Sequence, residues 1–306
     1  MKKIFLLIII ALFTVQIFAQ NGYQKPSKEI LDILNAPATP STSISPARDK
    51  IALLEPLRYP PVSELAEPML RLAGLRINPR TNAQHRQPYS VKITLKNIAD
   101  GKETPVNLPA GAKIISPNWS ADGRYIAAGN VTPVGVELWI IETATGKTTK
   151  IKNAMVNTAF GGFDWMPDQK SLIVNLVPKK RGAAPDYRDL VPGEPNIQET
   201  AGKTGAVQTF QDTLNSPNDE RLFEYYTTSQ LAIIGVDGKI REIGQPGIYG
   251  TADPSPDGSY ILTSRIKRPF SYLYPFSRFP ADIEIWDKNG NRVKTLANNT
   301  LQDNLP

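Results

Sequence analysis

Three arginines, Arg265, Arg268 and Arg278, bracket a run of aromatic side chains at Tyr272, Tyr274 and Phe276. A guanidinium held beside an aromatic wall suits an acidic side chain, because its planar fork of donors matches a carboxylate while the rings exclude water. The same residue types also build a structural clamp, in which each arginine pairs with a carboxylate of its own chain or stacks on a ring. Arg265, Arg268, Tyr272 and Arg278 are therefore candidate substrate-facing residues, with both roles open. Tyr225 and Tyr226 pose the same choice between lining a cavity and packing.

The rest of the chain holds little that could do covalent chemistry. Its single histidine, His85, sits in the polar stretch NAQHRQP with no cysteine or carboxylate at ligand spacing, so no metal site is expected. No Gly-x-Ser-x-Gly occurs, which removes the strand-to-helix turn that exposes a nucleophilic serine. No glycine loop precedes a helix in the way that cradles a phosphate, so no cofactor is expected. The formal charge of +6 is modest, and the basic triplet 179–181 has no aromatic platform around it. It reads as a solvated loop tip, and nucleic acid is not an expected partner.

The elements that must position the arginines repeat along the chain. Residues 252–295 contain a Ser-Pro-Asp-Gly turn, a strand at 259–264, an insert, a strand at 281–287, an Asn-Gly turn and a last strand at 291–296. Asp, Asn and Gly supply the turn conformations, and alternating apolar positions suit half-buried strands. The unit recurs at 119–151 almost without insert, at 164–243 with a long one, and at 45–108 in eroded form. Repeats of this length predict an all-β chain, a partial β-propeller of about four four-stranded blades over residues 43–298. The inserts, at about 56–88, 178–228 and 267–280, all join the second strand of a blade to the third. They are therefore expected on one face, where loops on a rigid scaffold carry function or cover exposed strand edges.

Residues 1–19 read as a signal peptide, with Lys2 and Lys3 before an apolar run that is short for a spanning helix, so no stable membrane insertion is expected. Residues 20–42 read as a linker with one short helix that Ser27 can cap, and 299–306 as a tail. The chain has no cysteine and must be held by packing alone.

Residues 72–79 (LAGLRINP), 181–185 (RGAAP), 191–199 (VPGEPNIQE), 209–220 (TFQDTLNSPNDE), 222–231 (LFEYYTTSQL) and 269–280 resemble the propeller domain of prolyl oligopeptidase family serine peptidases. More narrowly, they are similar to the glutamyl endopeptidase-like branch found in bacterial envelopes and plastids. The resemblance implies a propeller of about seven blades that restricts peptide access to a following α/β-hydrolase domain with a Ser, Asp and His triad. No position here matches that triad, so no catalytic residue carries over. The expectation is a non-catalytic propeller portion of an exported serine peptidase, periplasmic or extracellular and truncated before the catalytic domain. It would handle peptide substrate together with the missing hydrolase and be inactive alone. The alternative is a stand-alone periplasmic binding or scaffold module. Four blades cut from a wider ring leave an open arc, and self-association through its open blade edges is expected.

Overall fold

The structure is a computed structural model that describes residues 25–186 and 209–302. The expected signal peptide and the motif at 191–199 lie outside the described residues. The chain divides into two units, residues 1–38 and 39–306. In the first, helix α1 spans Lys28–Asn35. Ser27 stands at its N-cap, but its hydroxyl makes no capping bond to the backbone. Among the described residues no helix is long and apolar enough to cross a membrane.

The second unit is built from four successive four-stranded antiparallel sheets. The first blade starts with β1 (Ser41–Ile44) and β2 (Lys50–Pro56). Its insert carries the short helix α2 (Val62–Leu65) and a small sheet of β3 (Leu70–Leu72), β4 (Leu75–Asn78) and β5 (Ala83–Gln84). The blade closes with β6 (Ser90–Asn97) and β7 (Glu103–Pro105). The second blade is β8 (Ile114–Trp119), β9 (Tyr125–Thr132), β10 (Gly135–Glu142) and β11 (Thr148–Val156). The third pairs β12 (Phe163–Trp165) and β13 (Ser171–Leu176), then carries helix α3 (Pro217–Thr227), then β14 (Gln230–Gly235) and β15 (Ile240–Glu242). The fourth is β16 (Ile248–Pro254), β17 (Tyr260–Ile266), a 3-10 turn at Phe276–Arg278, β18 (Ala281–Asp287) and β19 (Arg292–Asn299).

The sequence turns sit where the strand alternation places them. Asp122 Oδ1 accepts hydrogen bonds from the Ser120 hydroxyl at 2.7 Å and the Arg124 amide at 3.1 Å, and Asp257 does the same with Ser255 and Ser259. The glycine after each, Gly123 and Gly258, has φ near +70°, a conformation other residues adopt at a cost. In the first blade, the eroded copy at 45–54 turns at residues 45–49, with Arg48 at φ 58° and the Ser45 hydroxyl bonded to Asp49, before β2 begins. A turn without the Asp-Gly pair is harder to see in sequence.

Each neighbouring pair of blades shares a core. Ile93, Leu95, Ile114 and Ile126 pack blades one and two; Leu138, Ile151, Val174 and Ile234 pack two and three; Ile173, Leu231, Ile261 and Trp286 pack three and four. Single-residue ladder contacts, Ser90 to Ile114 and Val156 to Leu176, join the first three blades side by side. Among the described residues no ladder joins β19 to the first blade, and Tyr260, Leu262, Val293 and Leu296 are exposed on the last one. The arrangement is a partial propeller.

A fourth cluster belongs to the inserts. Leu72 and Ile77 from the first, Leu222, Phe223 and Tyr226 from the third, and Phe270 and Phe279 from the fourth are buried together. Three inserts that share one core project from one face, as the position of their connections requires.

Candidate functional site

Helix α3 explains how the inserts hold each other. The Ser216 hydroxyl accepts the Asp219 amide at 3.1 Å, Pro217 needs no donor in the first turn, and Asp219 and Glu220 face the positive helix start. One side of the helix buries Leu222, Phe223, Tyr226 and Thr227. Phe223 meets the rings of Phe270 and Phe279 edge-on, with centroids 5.1 and 5.5 Å away. Glu220 and Glu224, four residues apart and so on a common side, both bond to Arg268.

Beside this helix a cleft of about 1180 Å³ opens chiefly between the third and fourth blades, with Asn153 and Met155 of the second at its edge. Its walls come from the chain after β13, from α3, and from the segment 265–270. Apolar surface from Met155, Val177, Ile248 and Phe270 forms much of the lining, and seven lysine or arginine side chains face two carboxylates, Glu224 and Glu242. Such an excess of positive charge in a concave, partly apolar site draws anions, because low-dielectric walls concentrate the field.

Four of the seven cations already have carboxylate partners. Arg268 grips Glu224 through two parallel bonds of 2.7 and 2.8 Å, also bonds Glu220, and lies over the Phe270 ring at 4.8 Å. These hydrogen bonds raise its pKa above the ordinary arginine value. Arg265 and Lys267 share Asp282, at 3.5 and 2.6 Å, and Lys179 meets Glu242 at 3.2 Å. Burial works to raise the Asp282 pKa, but the bond and charge of Lys267, with Arg265, hold it below the usual value.

Arg181 is placed differently. Its guanidinium lies over Tyr225 at 4.2 Å and Tyr226 at 5.8 Å, bonds Asn82 Oδ1, and donates from Nη1 to the Tyr225 carbonyl at 3.3 Å. No carboxylate pairs with it among the described residues. Burial lowers its pKa, which the nearby Tyr225 and Tyr226 only partly oppose. The basic triplet that reads as a loop tip therefore splits. Lys179 and Lys180 are exposed, and Arg181 is half-buried in the cleft wall.

The four sequence-chosen residues do not all meet. Arg265 and Arg268 line the cleft, whereas Tyr272 and Arg278 are not among its lining residues. Tyr272 is exposed near Glu220, and Arg278 stacks on Tyr274 at 4.8 Å and Phe210 at 5.6 Å. Tyr225 lines the cleft while Tyr226 is buried in the insert core, so the adjacent tyrosines take the two roles separately. Nothing local in the sequence marks Arg181, because its aromatic partners Tyr225 and Tyr226 lie more than forty positions away. His85 Nε2 lies 3.1 Å from the Glu67 carbonyl, and among the described residues no group of three or more His, Asp or Glu could hold a metal.

No family model matches. A protein of Oryza sativa subsp. japonica named "Probable glutamyl endopeptidase, chloroplastic" is 37% identical over 303 residues, covering 94% of this chain and 32% of that protein. This chain is a relative of the glutamyl endopeptidases. The Arabidopsis thaliana protein of the same name is 36% identical, with 94% and 31% covered. The chain thus spans about a third of the length of these relatives. Among solved structures, the acylaminoacyl peptidase of Pyrococcus horikoshii is 13% identical with a TM-score of 0.47, covering 86% of this chain and 32% of that one. A likeness that loose says nothing about activity.

Proposed function

We propose that this chain is the substrate-handling propeller part of a prolyl oligopeptidase-like peptidase, and that the cleft between its third and fourth blades receives acidic segments of a peptide. The observation that carries the reading is the excess of positive charge in the cleft, where seven cationic side chains line a partly apolar floor and four of them pair with the carboxylates of Glu220, Glu224, Glu242 and Asp282. The printed name of the plant relatives, glutamyl endopeptidase, supports it. The chain's own contribution is to bind and orient. A guanidinium and ammonium groups attract the acidic side chain, apolar walls take its neighbours, and the packed inserts hold these groups still. In this reading bond cleavage is assigned to a separate α/β-hydrolase domain, as the resemblance to the prolyl oligopeptidase family implies. Export by the leader at 1–19 to the periplasm or beyond completes the reading.

The test is fluorescence titration of the purified chain with acetylated, amidated hexapeptides that differ in one Glu or Gln. Tighter binding of the Glu peptide by about tenfold, fading between 50 and 300 mM salt, is expected. Equal affinities at low salt would refute the reading.

A further inference from the structure

Of the seven cations in the cleft, four are committed to carboxylates of the chain itself. Three are left: Lys180, Arg181 and Arg221. Lys180 and Arg221 are exposed, and Arg221 donates to Asn218 on its own helix. Arg181 alone of the three is fixed. Tyr225 and Tyr226 stack on it, and Nη1 is occupied by Asn82 Oδ1 and the Tyr225 carbonyl. Asn82 is itself locked, buried with φ 55° and donating to the Tyr226 carbonyl at 3.0 Å. Asn157 donates to the same carbonyl at 2.9 Å. The support of this one guanidinium thus draws on the first insert, the link between blades two and three, and the C-terminal end of α3.

We infer that Arg181 is the specificity-determining residue of the cleft, meeting a peptide carboxylate with its Nη2 and Nε edge, since the bonds to Asn82 and the Tyr225 carbonyl both leave from Nη1. The inference rests on the cleft being a peptide site. A guanidinium already oriented by stacking and by one bonded nitrogen loses little freedom when it pairs, so it discriminates a carboxylate from its amide better than a mobile lysine does. The carboxylate could come from a Glu or Asp side chain or from a peptide C-terminus, and the chemistry at Arg181 is the same.

The experiment compares three acetylated hexapeptides of one scaffold: central Glu with an amidated end, central Gln with a free carboxylate end, and central Gln with an amidated end. Affinities are measured for the wild-type chain, Arg181→Lys, Arg181→Gln, and the controls Lys180→Gln and Arg221→Gln. The ratio of two affinities on one preparation does not depend on the fraction folded, so partial unfolding cannot imitate the effect. A purely structural Arg181 would lower Tm and leave the ratios alone.

The expected result is that both Arg181 variants lose most of the roughly tenfold preference for a carboxylate, and that the controls change it less than about threefold. Loss confined to the Glu peptide assigns a side-chain carboxylate; loss confined to the free-ended peptide assigns the terminus. Wild-type discrimination that survives in Arg181→Gln overturns the role of Arg181 and leaves the cleft reading standing. Absence of discrimination in the wild type overturns both.

Discussion

Arg268 and Glu224 meet side by side across 44 residues of sequence, Nε to Oε1 at 2.7 Å and Nη2 to Oε2 at 2.8 Å. The pair ties the fourth insert to helix α3, and so fixes two walls of the cleft relative to each other. It is partly exposed, so solvent screens it, but bidentate geometry places it above the ordinary surface ion pair. Arg268→Ala is expected to lower stability by about 1 kcal/mol in urea unfolding, with a coupling to Glu224→Gln of roughly 0.5–1 kcal/mol in a double-mutant cycle. Releasing Glu220 and Glu224 also makes the cleft less positive, so affinity for the Glu hexapeptide should fall as well.

Phe223 is fully buried at the centre of the insert cluster, against Phe160, Phe270 and Phe279. Phe223→Ala should cost about 3–5 kcal/mol, the usual cost of an emptied aromatic site. Because this core joins three inserts rather than two blades, limited proteolysis of the variant should cut first within 56–88 or 209–228. Cuts that appear first in β8 to β11 would contradict an insert core that yields by itself.

Gly146 closes the turn between β10 and β11 with φ +69°, and a Cβ there would lie 2.3 Å from the Pro105 carbonyl oxygen of the neighbouring blade. Gly101 has the same φ in the first blade but meets nothing nearer than 4.0 Å. Alanine at position 101 should cost about 1 kcal/mol, for the left-handed backbone alone. At 146 it should cost distinctly more, about 2–3 kcal/mol, because blade one must move as well. Paired urea titrations of Gly101→Ala and Gly146→Ala measure the difference.

Acid should loosen the fold through its aspartates. Burial works to raise the pKa of Asp282 and Asp168, but their bonds to Lys267 and Arg265, and to the Lys170 and Ser171 amides, leave both lowered. A carboxyl whose folded pKa lies below its unfolded value, about 3.9, contributes its full stability above that pH and loses it as pH falls towards the folded value. Stability should therefore be flat from pH 7 to 5 and fall between about pH 4 and 2. In Asp282→Asn it should start lower and fall less steeply, as read from urea midpoints at pH 6 and pH 3.

The blades were legible because their signals are local. Asp122 and Gly123, or Asp287 and Gly290, lie within a few positions of the bonds that shape each turn. Insert placement followed from strand order. The cleft was not legible in the same way, because its parts are brought together only by folding: Arg181 depends on Tyr225 and Asn82, and Arg268 on Glu220 and Glu224. Residues 265–278 stand out by their arginines and aromatic rings, yet composition does not say which arginine has a carboxylate waiting on another insert. The indole bonds of Trp139 to Glu137 and Trp286 to Glu284, each 2.9 Å, are local and repeat in blades two and four. The motif Glu-x-Trp could have been read as a blade signature.

The most direct test of the acidic-peptide cleft is to map where a ligand sits. The Glu hexapeptide carrying a benzophenone beside the Glu is photocrosslinked to the chain, and labelled positions are located by mass spectrometry. Labelling concentrated in 176–186, 221–230 and 265–270, competed by unlabelled Glu peptide and not by the Gln peptide, is the expected result. Labelling spread over the blade faces, or competed equally by both peptides, would contradict the account.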